Sequence, residues 1–228
     1  MSNDASRFTD RSEAGRLLGD ALAGKGYADP IVLALPRGGV PIAIEVARKL
    51  HAPVDLILVR KIGVPFQPEL AAGAVVDGAS PEIVYNDEVL AMAGLTRGDV
   101  DELSRTQLDE IERRGALYLH ERKTVSVAGK TAIIVDDGIA TGATARAALH
   151  AVRRRKAAKV VLATPVAASE SLRSLSREAD EIVCLSEPTP FYAIGVHYLD
   201  FRQLGDGDVI ALLRAADDGS GDNRQPRG

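Results

Sequence analysis

IIVDDGIATGATARAA, residues 133–148, is the stretch of sequence that indicates the fold. An apolar run ends in two acids, Asp136 and Asp137, and a short loop of small and hydroxyl residues then leads into a helical pattern. A continuous apolar run is typical of a strand that is buried on both faces of a parallel sheet. Ligands of open parallel sheets bind at the carboxyl ends of the strands, so this stretch predicts a ligand site after a central strand.

The loop GIATGAT has the composition of a phosphate-binding turn. Gly138, Gly142 and Ala143 would let a ligand approach the backbone, while Thr141 and Thr144 could donate hydroxyl hydrogen bonds. The helix that follows would add its unpaired amides and the positive end of its dipole. The two ionised acids before the loop only accept hydrogen bonds, which suits the vicinal diol of a ribose. We expect both acids at a solvent-facing strand end.

This segment resembles, at every position, the phosphoribosyl diphosphate (PRPP) motif of type I phosphoribosyltransferases. The resemblance implies that Asp136 and Asp137 hold the ribose hydroxyls and contact Mg²⁺. It also implies a loop around the 5′-phosphate, formed by Gly138, Ile139, Ala140, Thr141, Gly142, Ala143 and Thr144. An acidic turn that merely caps a helix is the structural alternative.

The resemblance to this family runs from about Phe8 to Leu213. It implies an enzyme of nucleotide metabolism that binds PRPP and Mg²⁺, transfers the phosphoribosyl group to a nitrogenous base and releases pyrophosphate. Two alternatives stay open: a regulator that binds PRPP without turnover, and a hydrolase that passes the sugar to water. A homodimer is the family's habit.

The segment LPRGGVP, residues 35–41, is a second candidate site. A Gly-Gly turn after a predicted strand exposes backbone amides, and the guanidinium of Arg37 suits diphosphate oxygens. Taken alone, the motif could equally be a surface turn. The family has its pyrophosphate loop at this point, which implies that Arg37, Gly38 and Gly39 contact the diphosphate.

A basic pair follows the next predicted strand, VDLILV at 54–59. The resemblance implies that Lys61, or the adjacent Arg60, contacts the diphosphate; a solvated charge at a strand end is the alternative. Residues 60–73 contain two prolines and two glycines without a sustained period, which predicts a mobile loop. In the family, the loop at this place closes over the substrate and would exclude water.

The acceptor is harder to predict. PFYAIGVHYLDF, residues 190–201, is loosely similar to the base-binding stretch of hypoxanthine-type enzymes. This similarity implies Tyr192 or Phe191 as a stacking platform and Asp200 as an aid to metal or diphosphate, although core packing would also explain the aromatic residues. Ala140 stands where those enzymes carry a third acid, so a standard hypoxanthine–guanine enzyme is not expected.

Alternating strand and helix patterns predict an α/β fold with a Rossmann-like open, mainly parallel sheet flanked by helices. A first helix should begin at Asp10 and bury Ala14, Leu17, Leu18, Ala21 and Leu22. Further strands are predicted at 31–35, 131–137, 159–166 and 181–185. An insertion at about 60–125 should form a small cap or hood, with a hairpin of AVV and EIVY and a helix from Asp99 to Tyr118.

Length and composition set the remaining expectations. The chain has 228 residues, 46% of them hydrophobic, and we expect a single domain over 8–214 with a disordered tail at 215–228. The net charge of −4 does not favour nucleic acid as a partner, and a single cysteine excludes an intrachain disulfide. Without a signal-like start or an apolar span of about 20 residues, a cytoplasmic protein with a small-molecule substrate and no membrane partner is expected.

Overall fold

A five-stranded parallel sheet forms the centre of the computed structural model, which describes residues 7–78, 81–119 and 124–221. Numbered in chain order, its strands are β1 (Pro30–Ala34), β2 (Val54–Leu56), β6 (Thr131–Val135), β7 (Lys159–Val166) and β8 (Glu181–Ser186). Their spatial order is β2–β1–β6–β7–β8, and every neighbouring pair is parallel. The predicted Rossmann-like α/β fold is therefore confirmed.

Helices cover both faces of this sheet. They are α1 (Arg11–Ala23), α2 (Gly39–Leu50), α5 (Ala143–Arg154), α6 (Ser169–Leu175) and α7 (Asp206–Gly221). Successive strand residues point to opposite faces, so Ile133 joins the core cluster formed with α1 and α2, whereas Ile134 joins the cluster formed with α5. Burial on both faces explains why the strand sequences are almost continuously apolar.

The buried face of α1 differs from the predicted one. Leu17 and Ala21 are exposed, and Gly15 and Gly19 face α2 instead. A Cβ atom at Gly15 would lie 2.9 Å from the backbone of Ile42 in α2. The two helices therefore pack closely along small residues. This close packing, and not the leucine pattern, determines which side of α1 is buried.

The insertion forms a second, three-stranded antiparallel sheet. Its elements are β3 (Val59–Val64), β4 (Gln67–Val76), β5 (Glu82–Tyr85), α3 (Asp87–Ala93) and α4 (Arg97–Leu119). The predicted hairpin of 74–76 with 82–85 and the predicted charged helix are both confirmed. The predicted loop at 60–73 is wrong, because most of these residues pair as β3 and β4 around a turn at Pro65 and Phe66.

Two tertiary effects produce this hairpin. Ile62 and Ala72 are almost fully buried, so packing against the core stabilises strands whose sequence is interrupted by prolines. Gly63 lies at a register shift, and a Cβ atom there would approach the carbonyl oxygen of Pro68 to 2.8 Å. The glycine that suggested a loop instead permits a close contact between the two strands.

The expected tail is also partly wrong. Helix α7 continues to Gly221, so residues 215–221 are helical, and residues 222–228 lie outside the described part of the chain. Val209 and Leu213, four residues apart, are buried in the core and fix this helix to the rest of the fold.

Candidate active site

The sheet order creates a crevice between β1 and β6. The chain leaves β1 through α2 towards β2 on one side, and leaves β6 through α5 towards β7 on the other. Such a reversal of strand order is where open α/β sheets bind their ligands, outside the carboxyl ends of the strands. The PRGG loop, defined as residues 36–39, follows β1, and the segment 136–144 follows β6, so both predicted loops reach the same crevice.

The two loops touch each other through glycines. A Cβ atom at Gly38 would lie 1.9 Å from Oδ2 of Asp137, and one at Gly39 would lie 2.5 Å from the carbonyl oxygen of Val135. The amide of Leu35 donates to the same carbonyl at 2.9 Å. Neither glycine has room for a side chain, which explains the Gly-Gly sequence of the PRGG loop.

The backbone amides of residues 140–145 lie in or next to the phosphate loop that the sequence predicts at 138–144. None of these six amides has a hydrogen-bond partner among the residues that the structure describes. No side chain caps α5, whose N-cap residue Gly142 has a φ of 76° that favours glycine. Successive free amides at a helix N-terminus are suited to bind a phosphate group.

The predicted phosphate loop is held from its other side. The amide of Ile139 donates to Val166 and its carbonyl accepts from Ala168, each at 2.9 Å, while the hydroxyl of Ser171 donates to the carbonyl of Ala140. A Cβ atom at Gly138 would meet Ile194 at 2.4 Å. These contacts fix the loop with its free amides in place before any ligand binds.

The paired acids have different surroundings. Asp137 is only 9% exposed, so the expectation of a solvent-facing position is wrong for this residue, whereas Asp136 keeps more of its surface exposed. Burial raises the pKa of both carboxyls; the charge of Asp137 raises the pKa of Asp136 further, and the guanidinium of Arg11 opposes the rise at Asp137. Oδ1 of Asp136 accepts the Asp137 amide at 2.9 Å.

Two residues that the sequence analysis missed enclose Asp137. The Nε and Nη2 atoms of Arg11 each lie 2.8 Å from Oδ2 of Asp137. The hydroxyl of Tyr198 donates to the Asp137 carbonyl at 2.6 Å. Arg11 directly follows the N-cap of α1 and is 126 positions from Asp137, so no local pattern links the two residues.

A cleft of about 400 Å³ opens beside the PRGG loop. Its lining residues are Arg11, Arg37, Gly38, Phe201, Gln203 and Leu204. Nη1 of Arg37 is 3.7 Å from Oδ1 of Asp206, the first residue of α7. The cleft thus combines two guanidinium groups with one aromatic ring, a composition that suits an anionic ligand with a flat part.

The predicted acceptor residues lie elsewhere. Tyr192 is 81% exposed and does not line this cleft in the described structure, and Phe191 stacks on His197 with ring centroids 5.9 Å apart. Asp200 is exposed and accepts the amide of Arg202. The aromatic residue that does line the cleft is Phe201, one position beyond Asp200.

Lys61 also differs from its predicted setting. The parallel strand β2 ends at Leu56, and Lys61 pairs with Ala74 inside the antiparallel sheet. It is half-buried and does not line the cleft beside the PRGG loop in the described part of the chain. The contact of Lys61 with a diphosphate therefore stays a prediction.

A larger cleft, about 460 Å³, lies between α5 and the antiparallel sheet. It touches Ala143, Arg146 and His150 of α5 but none of residues 136–142 and no part of the PRGG loop. The convergence of the two predicted loops, rather than cleft size, therefore locates the candidate active site.

The acid pair fits Mg²⁺ only in part. Within the described ranges, no group of three or more His, Cys, Asp or Glu side chains could hold a metal ion. Oδ2 of Asp137 is already bound by Arg11, whose positive charge would repel a cation. Asp136 is the carboxylate of the pair that fits a metal role, alongside oxygen atoms of the ligand and water.

Comparison with known proteins agrees with this geometry. Residues 10–200 match the model of the phosphoribosyl transferase domain. The chain belongs to the phosphoribosyl transferase family. The matched region contains both candidate loops of this phosphoribosyl transferase chain. The strand order of the parallel sheet brings these two loops to the same crevice.

Similar proteins extend the comparison. "Putative phosphoribosyl transferase Rv0571c" of Mycobacterium tuberculosis is 46% identical over 209 residues, which are 92% of this chain and 47% of that protein; a second strain's counterpart matches equally. The chain thus spans about half the length of these relatives. The crystal structure of TT1426 from Thermus thermophilus is 42% identical, with a TM-score of 0.82, and the match covers 91% of this chain and 97% of that one. None of the described helices is long and apolar enough to cross a membrane.

Proposed function

We propose that the chain is a PRPP-dependent phosphoribosyltransferase, which transfers the phosphoribosyl group to a nitrogenous base and releases pyrophosphate. The observation that carries this proposal is the run of six unpaired amides at residues 140–145, at the start of α5, in the segment whose Asp137 contacts the PRGG loop. A phosphate bound there would place the rest of a phosphoribosyl group in the crevice between β1 and β6.

The PRGG loop would supply hydrogen-bond donors and a positive charge to the leaving diphosphate. The PRGG loop has free amides at Arg37 and Gly38 within the described structure, and Arg37 adds a permanently charged guanidinium. These donors support a diphosphate, whose negative charge grows as its bond to C1 of the ribose breaks. Their fixed positions would lower the barrier through electrostatic stabilisation, without a covalent intermediate on the protein.

The reaction at C1 follows from this arrangement. The acceptor nitrogen attacks C1 as pyrophosphate departs, with inversion at that carbon and oxocarbenium character in the transition state, as in other glycosyl transfers. The acid pair would hold the ribose hydroxyls and so orient C1 towards the acceptor. When bound, Mg²⁺ would neutralise diphosphate charge, with Asp136 as the protein carboxylate that fits it.

Few of the described residues bear on the identity of the acceptor base. Ala140 has no carboxyl group to take a proton from a purine. Tyr192, predicted as a stacking platform, has a solvent-exposed ring, whereas Phe201 lines the cleft together with Arg37. A panel of bases is therefore the right probe. A homodimer and a cytoplasmic location remain predictions.

The test measures pyrophosphate release and PRPP binding together. The protein is incubated with PRPP and Mg²⁺, first alone and then with each of a panel of purine, pyrimidine and pyridine bases. Release that depends on one base, with the matching nucleotide formed, supports the transferase. Binding without turnover for every base would favour a PRPP-binding regulator, and release without any base would favour a hydrolase; either result contradicts the proposal.

A further inference from the structure

Asp206, the first residue of α7, contacts two separate parts of the molecule. Its Oδ1 atom lies 3.7 Å from Nη1 of Arg37 in the PRGG loop and also accepts a hydrogen bond from the hydroxyl of Tyr118. Its Oδ2 atom accepts a hydrogen bond of 3.2 Å from Nη2 of Arg113. Tyr118 and Arg113 both belong to α4, the long helix of the insertion. One carboxylate therefore joins the insertion to the PRGG loop.

The insertion fixes the carboxylate of Asp206 in place. Tyr118 is only 4% exposed and packs in the core, so its hydroxyl is a donor at a fixed position. The hydrogen bond from Tyr118 is the main cause that lowers the pKa of Asp206, and Arg113 lowers this pKa further. Asp206 also lies in the first turn of α7, where a negative charge is favourable. Its position and its charge are thus set before any ligand binds.

Arg37 depends on Asp206 for its orientation. Within the described residues, Asp206 is the only acid in an ion pair with the Arg37 guanidinium, and this side chain makes no hydrogen bond. A separation of 3.7 Å is a contact between charges and not a hydrogen bond, so the donors of Arg37 stay available to a ligand. The two side chains are 31% and 29% exposed, which keeps their attraction modest. The contact can therefore orient Arg37 without blocking it.

We infer that Asp206 is a positioning residue, which orients Arg37 in the cleft so that its guanidinium meets the diphosphate of PRPP with little loss of side-chain freedom. This inference rests on the proposed function, because it needs a diphosphate at the PRGG loop. Asp206 acts through Arg37 and does not contact the ligand. Fixing one flexible side chain in advance is equivalent to about three- to tenfold in Kd.

Repulsion between like charges opposes this gain. A carboxylate near the cleft also repels a diphosphate, so its neutralisation alone would improve binding. Asp208 measures that effect, because it lies in the same first turn of α7 but accepts the amide of Gly205 at 2.8 Å and makes no ion pair with Arg37. Asp206→Asn and Asp208→Asn remove the same charge, and only the first removes the partner of Arg37.

The test compares two ligands that differ in the diphosphate. Calorimetric titration in the presence of Mg²⁺ gives the Kd of PRPP and of ribose 5-phosphate for wild type, Asp206→Asn and Asp208→Asn. We expect Asp206→Asn to weaken PRPP binding about three- to tenfold. Its affinity for ribose 5-phosphate, and both affinities of Asp208→Asn, should stay within about twofold of wild type. A change in PRPP affinity no larger than that of Asp208→Asn, or a tighter binding of PRPP, would overturn the inference.

A double-mutant cycle tests whether Asp206 acts through Arg37. Arg37→Met removes the guanidinium, so adding Asp206→Asn to this variant should cause no further loss of PRPP affinity. A structural defect in α7 would instead weaken binding in both backgrounds, and that outcome would contradict the inference. Tyr118→Phe, which removes the donor that fixes Asp206, should lower PRPP affinity relative to ribose 5-phosphate and covers the case in which Asp206→Asn does not fold.

Wild type and Arg37→Met distinguish a failure of this inference from a failure of the proposed function. If wild type does not bind PRPP, or if Arg37→Met binds it as tightly as wild type does, the proposed site for the diphosphate is wrong. If Arg37→Met weakens PRPP binding but Asp206→Asn does not, the proposed function stands and only the role of Asp206 is wrong.

Discussion

The phenolic hydroxyl of Tyr198 donates a hydrogen bond of 2.6 Å to the backbone carbonyl of Asp137. Tyr198 is itself buried and packs between Phe8 and Phe201, with ring centroids 5.5 Å and 5.0 Å away. The segment after the last strand is thus tied directly to the acid pair. Part of the stretch 190–201, which is loosely similar to a base-binding segment, thus holds the backbone of Asp137 instead.

Removing this hydroxyl should destabilise the protein. Tyr198→Phe leaves the buried Asp137 carbonyl without its donor, and an unsatisfied buried group costs about 1–3 kcal/mol. Urea unfolding followed by circular dichroism measures the loss. Tyr192→Phe is the matched control, because that ring is 81% exposed and should show almost no change. Equal stability of the two variants would mean that the Tyr198 bond does not form in solution.

The contact between the two loops predicts a sharp effect at Gly38. In Gly38→Ala the new methyl group would overlap Oδ2 of Asp137, so the carboxylate must move and its pairing with Arg11 weakens. The displaced carboxylate belongs to the acid pair that we expect to accept hydrogen bonds from the ribose, and losing a hydrogen bond to a charged group costs about 1.5–3 kcal/mol, so PRPP affinity should fall about tenfold or more. Gly115→Ala is the control, since a Cβ atom within helix α4 meets nothing within 4 Å there. Normal PRPP binding by Gly38→Ala would contradict the described loop contact.

The close packing of α1 on α2 can be tested in the same way. A Cβ atom at Gly15 would lie 2.9 Å from Ile42 and Glu45, so Gly15→Ala should lower the free energy of unfolding by about 1–3 kcal/mol. Gly24→Ala, at the end of α1, has open space around it and should change stability by less than about 1 kcal/mol. If Gly15→Ala proved as stable as Gly24→Ala, the helices would be further apart than described.

The raised pKa of Asp77 leads us to expect a specific pH dependence of the free energy of unfolding. Burial raises the pKa of its carboxyl to about 6, although Arg155 opposes the rise. Between pH 4 and 6 the folded state therefore holds a proton that the unfolded chain has lost, so this group's contribution to stability is largest at about pH 4 and falls as pH rises through 6. The change amounts to about 3 kcal/mol at most for a shift of about two units.

The variant Asp77→Asn isolates this effect, because asparagine does not ionise. Unfolding free energies of wild type and variant are measured by urea titration from pH 4 to 7, and the other titrating groups cancel in the difference. Wild type should lose stability relative to the variant as pH rises. Two curves that stay parallel over this range would show that Asp77 titrates normally.

Much of the parallel sheet was predictable because its strands are buried on both faces. Continuous apolar runs therefore marked β6 and β7, and the bounds of β7 match the prediction. The motif after β6 also located the unpaired amides at the start of α5, since its small residues and its glycine are what such a turn requires.

The remaining features depend on contacts between distant parts of the chain. Two prolines and two glycines at 60–73 suggested a loop, but burial of Ile62 and a close contact at Gly63 produce a hairpin. Arg11 gave no signal, because its partner Asp137 is 126 positions away and its own neighbours form an ordinary helix start. Pairings of this kind follow from the assembled fold and not from local spacing.

The central claim is that the turn after β6 binds the 5′-phosphate of a phosphoribosyl group. A crystal structure of the protein with PRPP tests it most directly. The proposed function predicts phosphate oxygens within about 3.2 Å of the amides of residues 140–145, with the ribose hydroxyls facing Asp136 and Asp137. PRPP bound in another cleft, with these amides still unpaired, would contradict it.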